Sequence, residues 1–282
     1  MRMKILLLLF FGLAFLLTKN ITAQVKLPSP STIQTIHQEF GLGTIEVTYS
    51  RPGAKGRKVF GDLVPYGELW RTGANAATRL SFSEAVELNG RKIEAGTYVL
   101  YTIPGEESWE IIINKGIKNQ GTEGYKEAED VARFKVEPAK TKNKAEVFTI
   151  QFANIEGAFC ELQLMWEKKL VTIVITANIK EKIRSQIDAA MLTDKKPYWQ
   201  AAQFYYEYDM NLNKALENVN KASDANPGAY WIYLYKAKIQ KDMGDNAGAL
   251  KTSQTSMEFA KQAKATDYIK MNKAFQKKIK KS

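Results

Sequence analysis

The feature that most limits the fold of this 282-residue chain is a change of hydrophobic period near Ala177. Upstream of it, apolar residues recur at every second position: Ile45, Val47 and Tyr49; Leu80 and Phe82; Val86 and Leu88; Trp109, Ile111 and Ile113. The alternation returns in Ala132, Phe134 and Val136, in Phe148, Ile150 and Phe152, from Cys160 to Trp166, and in Val171, Ile173 and Ile175. Successive side chains of a strand point to opposite faces, so each run reads as a strand with one buried face. Residues 96–103 are strand-like on both faces and stop at Pro104-Gly105, while Asn89-Gly90 is the pair that a type I′ hairpin turn prefers. Roughly nine or ten short strands with no helical pattern between them imply an antiparallel β-sandwich or barrel.

Downstream the period is helical. Asn178-Ile-Lys-Glu181 is a variant of the capping box, and Ile179, Ile183, Ile187 and Met191 form one stripe, as expected of a helix that links two domains. Trp199, Ala202, Tyr206, Ala215, Val219, Ala222 and Pro227 then match the spacing of a tetratricopeptide repeat, where small residues let paired helices approach and aromatics fill the groove. A shift of about 34 residues carries Trp199 to Tyr233, Ala215-Leu216 to Ala249-Leu250 and Ala222 to Ser256, whereas Ala202 falls on Lys236 and Tyr206 on Gln240. The pattern predicts two degenerate repeats and a capping helix around Thr266 to Lys280. The whole chain reads as a multidomain α and β protein, with a β-sandwich-like domain over 24–177 and an α-helical, tetratricopeptide-like hairpin array over 178–282.

The first residues speak to compartment. Arg2 and Lys4 precede an apolar run from Ile5 to Leu17, too short to span a bilayer comfortably and of the length of a secretory signal core. Ala23 suits the residue before a cleavage point, so residues 1–23 are expected to be a signal peptide and the mature chain a periplasmic protein with no transmembrane segment. The single cysteine, Cys160, rules out an internal disulfide and lies in an alternating apolar run, where it reads as a small core residue. Removing the signal lowers the formal charge of +11 by three, and the remaining excess sits wholly in the second half of the chain. Lys264, Lys270, Lys273, Lys277, Lys278, Lys280 and Lys281 supply most of it, which reads as a solvated last helix; nucleic acid is not an expected partner of an exported protein.

Residues 49–78, YSRPGAKGRKVFGDLVPYGELWRTGANAAT, have no counterpart in an ordinary core element. Glycines and prolines punctuate the stretch and permit tight turns and close backbone approach. Arg51, Lys55, Arg57, Tyr66, Trp70, Arg71, Thr72 and Asn75 are the candidate ligand-binding residues: Tyr66 and Trp70 offer aromatic surface, and Arg71, Thr72 and Asn75 offer directed hydrogen bonds. The competing reading of the same residues is an Ω-like structural loop in which Trp70 plugs the end of the sandwich. His37, the one histidine, falls before the first expected strand, so a nucleophile paired with histidine has little support, and one Cys with one His leaves no structural zinc site. Hydrolysis by a carboxylate pair needs only one raised and one ordinary pKa; Asp62 and Glu68 are the pair such an enzyme would use. No metal or cofactor is implied.

The strings YSRP at 49–52, KGR at 55–57, FGDLVPYGELWRTGANAAT at 60–78 and AGTYVLYTIPG at 95–105 resemble the signature of a bacterial family known as domain of unknown function 2911. The resemblance extends over about residues 28–176, with a weaker second half at NK 114–115, Tyr125 and DVARF 130–134 and a less typical insertion from Gly116 to Gly124. It implies an exported bacterial protein with a β-rich domain, often followed by helical repeats, and carries no established activity, cofactor or catalytic residue. The expected function is that of an exported envelope binding or assembly module: the β domain meets a glycan or a protein through residues 49–78, and the helical repeats dock protein. The alternative is a carboxylate-based hydrolase acting on envelope glycans.

Overall fold

A computed structural model describes residues 27–281; the expected signal segment and its cleavage point lie outside the described residues. Among the described residues ten strands precede the α-helices. They are β1 (Thr32–Phe40), β2 (Gly43–Arg51), β3 (Thr78–Phe82), β4 (Val86–Leu88), β5 (Arg91–Ile93), β6 (Gly96–Ile103), β7 (Trp109–Asn114), β8 (Asp130–Val136), β9 (Ala139–Glu156) and β10 (Phe159–Thr176). Every pairing is antiparallel. One sheet runs β1-β2-β3-β6-β7-β8 and the other β5-β4-β10-β9; both are open, so the sandwich is the arrangement adopted.

The alternating residues meet between the sheets. Val47, Tyr49, Leu80, Leu100, Trp109, Ile111 and Ile113 from the first sheet are buried in one cluster with Leu88, Phe148, Ile150, Leu162, Leu164, Trp166 and Ile173 from the second. Burying side chains of this size contributes about 1.5–3 kcal/mol each before chain entropy is charged against it. Asn89 and Gly90 both take positive φ, and Leu88 pairs with Arg91, so the expected type I′ turn joins β4 to β5. On the outer face of the larger sheet a small second cluster forms from Ala77, Val99, Tyr101 and Ile112, covered by Tyr125. The insertion at 116–124 anchors here: the Tyr101 hydroxyl donates to the Gly121 carbonyl at 3.1 Å, and Asn119 Nδ2 donates to Tyr101 at 3.2 Å.

Six helices follow among the described residues: α1 (Lys180–Met191), α2 (Tyr198–Glu207), α3 (Leu212–Ala225), α4 (Tyr230–Asp242), α5 (Asn246–Gln262) and α6 (Thr266–Ile279). Each packs against the next. The alanines at 201, 202, 215 and 222 are buried together with Phe204, Val219 and Ile232, where their small side chains allow close helix approach. Trp199 and Tyr206 both set their rings edge-on to Tyr235, at 4.9 and 5.3 Å.

Two local expectations are corrected. His37 does not precede the first strand but lies within β1, where its exposed ring contacts Glu46 at 3.1 Å. The segment after Ala177 does not form a side-chain cap at Asn178: the N-cap is Ile179, already in the helical region at φ −95° and ψ −12°. A capping side chain needs an extended backbone at that position, which this entry to the helix does not provide.

Candidate functional site

The stretch at 49–78 splits into two halves with different work. The first half binds the sheets together. Tyr49 accepts from the Ile150 amide at 2.8 Å, and Arg51 donates through Nε to the Phe148 carbonyl and through Nη2 to Thr149 Oγ1 at 2.9 Å. The Phe148 amide donates to the Pro52 carbonyl, the Ala54 amide donates to the Glu146 carbonyl, and Lys55 donates its amide to the Glu146 carboxylate at 2.6 Å. Residues 49–55 are thus laced along residues 146–150 of β9, and Arg51 is spent on that lacing. The Lys55 side chain is exposed and lies outside the clefts described below.

The second half forms the end of the sandwich. Trp70 is only 8% exposed, stacks on Trp166 at 5.9 Å, and lies edge-on to Phe148, Trp109 and Phe60. Its Nε1 donates to the Gly73 carbonyl at 3.0 Å. Gly73 has φ +157°, and a Cβ there would lie 3.0 Å from the Ser50 carbonyl oxygen, so the close approach of this loop to β2 requires glycine. Thr72 is fully buried against Thr102, its hydroxyl 3.1 Å from that of Thr102. Trp70 and Thr72 therefore build the loop and present no open face for a ligand to stack on.

Above them lies a cleft of about 340 Å³, with Arg57, Arg71, Asn75, Leu63 and Val64 in its walls and Trp70 and Trp166 in its floor. Both guanidinium groups are held by backbone carbonyls. Arg57 donates through Nε to Ala54 and through Nη2 to Gly53, and Arg71 donates through Nη1 to Asn75 at 2.8 Å. Neither arginine forms an ion pair with any described carboxylate. Asn75, at φ +57°, donates its side-chain amide to the Ser31 carbonyl and to Ser50 Oγ. Two arginines without a carboxylate partner among the described residues have the chemistry to donate charge-assisted hydrogen bonds to a planar anion.

Tyr66 faces elsewhere. It lines a second cleft on the other side of the 57–66 loop, of about 510 Å³, together with Lys58 and Phe60 from the loop and lysines from β9 and β10. Burial first, then the charges of Glu106 and Glu167, raise its phenol above the ordinary value, so it remains a neutral hydroxyl. The structure thus brings Arg57, Trp70, Arg71 and Asn75 to one cleft and Tyr66 to another. The carboxylates Asp62 and Glu68 are exposed and line neither.

The sequence reading missed Trp166 and the lysines of the β9–β10 hairpin, which join the 49–78 loop only through sheet packing. The one local signal was Trp166 closing an alternating run just before Glu167-Lys168-Lys169. Among the described residues no cluster of three His, Cys, Asp or Glu is placed to hold a metal ion. Burial first, then the Glu161 charge, pushes the Cys160 thiol up to about 12, so it stays protonated in the core.

A search of curated proteins gives no match to the chain. A family match covers residues 31–175, the two sheets with both clefts, and stops at the end of β10. That match spans more than half of the 282 residues, and the chain belongs to the family described as Protein of unknown function (DUF2911).

Proposed function

We propose that this protein is a binding module of the bacterial envelope, exported by its N-terminal segment, that holds a small anionic group in the Arg57–Arg71 cleft and docks a protein on its helices. The observation that carries the reading is the pair of arginines: each is oriented by main-chain carbonyls and neither has a carboxylate partner among the described residues. A sugar bearing one carboxylate suits the cleft, with its acid between the guanidinium groups and its ring against Leu63 and Val64. The helices serve as a tetratricopeptide-like array, supported by Trp199, Ala202, Ala215 and Ala222 occupying the interfaces that the repeat spacing assigns them. An array this short leans on a partner or on the sandwich.

Calorimetric titration of the full chain with glucuronate tests the cleft, with glucose as the uncharged control. Binding of glucuronate alone is expected. Arg71→Ala should weaken it by about tenfold or more, the value of a charge-assisted hydrogen bond to an anion. Equal heats for the two sugars, or equal affinity in the variant, would reject this ligand class.

A further inference from the structure

The second cleft has a different chemistry. Lys58, Lys140, Lys144, Lys168 and Lys169 surround it, with Glu167 as the one carboxylate in its lining and the Glu106 charge near enough to act on Tyr66. Lys144 is 3.7 Å from Glu167, and Lys169 Nζ donates to the Glu106 carbonyl at 3.0 Å. The ammonium groups of Lys58, Lys140 and Lys168 have no hydrogen bond or ion pair with any described residue. Three uncompensated cations in one cleft repel one another, and a ligand carrying several negative charges relieves that repulsion.

The strands are irregular where these lysines sit. Glu167 pairs with Ala145 and Lys169 with Lys140, so Lys168 alone opposes residues 141–144. The surplus residues bulge out of the ladder, with Thr141 Oγ1 closing on the Asn143 carbonyl at 2.7 Å, and Glu167 takes φ +49°. A bulge re-aims side chains that a regular strand would send to alternate faces, and here Lys140, Lys144, Lys168 and Lys169 all reach one groove. On the loop side, Tyr66 and Phe60 give the groove an apolar wall. Tyr66 lies so close to Gly61, at φ +86°, that a Cβ there would be 2.8 Å from its ring.

Lysine and arginine select different anions. A guanidinium fork matches one planar group, while ammonium groups on long stems act as mobile point charges and suit charges spread over a ligand. We propose that this groove binds an anionic saccharide bearing several sulfate, phosphate or carboxylate groups, its ring against Tyr66 and its charges among the lysines. The site is separate from the Arg57–Arg71 cleft and does not depend on it.

Sucrose octasulfate is the probe, titrated into the full chain at low and at physiological salt, with sucrose as the uncharged control. Inositol hexakisphosphate and phosphatidylglycerol vesicles separate a sulfated from a phosphorylated source and a saccharide from a membrane. The expected result is salt-sensitive binding of one or both ring polyanions and none of sucrose. A Lys140→Ala, Lys168→Ala double variant should bind about tenfold more weakly, the sum of two exposed charge contacts, while Arg71→Ala binds as the parent does. Both changed lysines are exposed, so the fold should tolerate the change. Absence of binding to either polyanion, an unchanged affinity in the double variant, or binding to vesicles alone would overturn the proposal.

Discussion

The Tyr49 hydroxyl joins the two sheets. It accepts from the Ile150 amide at 2.8 Å and lies 2.8 Å from Gln34 Oε1 and 3.2 Å from the Ile150 carbonyl oxygen. A Tyr49→Phe change keeps the ring packed on Phe148, 5.8 Å away, but leaves the Ile150 amide without its acceptor. The expected loss of stability is about 1–3 kcal/mol, read from urea unfolding; a loss below about 0.5 kcal/mol would show that the clasp is not stabilising. Tyr49 was legible in the sequence as an inward strand residue, because its neighbours Ile45 and Val47 set the parity. Trp70 was not. Its local setting of Glu68, Arg71 and Gly73 is that of a surface loop, and what buries it is Trp166 and Phe148, far along the chain. The same distance hid the difference between Arg51 and Arg57: both stand in one basic stretch of sequence, yet Arg51, at the end of β2, is held by Phe148 and Thr149 of β9 and Arg57 faces a cleft.

Among the elements, the β9–β10 hairpin shows how a bulge appears in sequence and is easily misread. The inward residues of β10 are even-numbered from Cys160 to Trp166 and odd-numbered from Val171 to Ile175, so one strand looks like two runs. The register breaks around Glu167 absorb the change of parity and leave two 18-residue strands. The edge strand β1 left no comparable trace, since of its nine residues only Phe40 is fully buried and Ile33 and Ile36 have opposite parity. Between α1 and the end of α2, sequence shows charges and structure shows their pairing: Asp209 lies 2.8 Å from Lys180 Nζ and 2.5 Å from Arg184 Nη2. Those hydrogen bonds, Lys180 first, hold the Asp209 carboxyl below its ordinary pKa. Because the folded value is lowered, the stabilisation is present above the unfolded value of about 3.9 and is lost as pH falls through the folded one. Asp209→Asn should therefore melt below the parent at pH 6, and the gap should narrow as pH falls below about 3.9. A melting gap that stays constant across that range would remove Asp209 as the cause.

For the whole molecule, the order of elements was readable from the change of period, while the placement of the sheets and helices on one another was not. Local periodicity encodes which face of an element is buried and says nothing of which partner covers it. The sandwich core and the helix core are separate clusters that share no residue. Between them lie the Lys182–Glu84 pair at 2.7 Å, the approach of Ile179 to Gly41 and that of the Tyr208 hydroxyl to Gly157. An interface of this kind, polar and partly exposed, couples two units weakly. Thermal unfolding should then show two transitions rather than one, since a single cooperative transition needs the cores to lose their packing together. Tryptophan reports on each separately: Trp70, Trp109 and Trp166 are buried in the sandwich, and Trp199 and Trp231 lie in the helices. Replacing Trp166 by Ala opens a cavity beside Trp70 and Phe148 and should cost about 3–5 kcal/mol in the sandwich. Its transition should fall by several degrees while the helix transition keeps its midpoint. If scanning calorimetry finds one transition in the parent, or if Trp166→Ala lowers both midpoints equally, the two cores fold as one unit and the interface at Gly41, Glu84 and Lys182 is far stronger than its contacts imply.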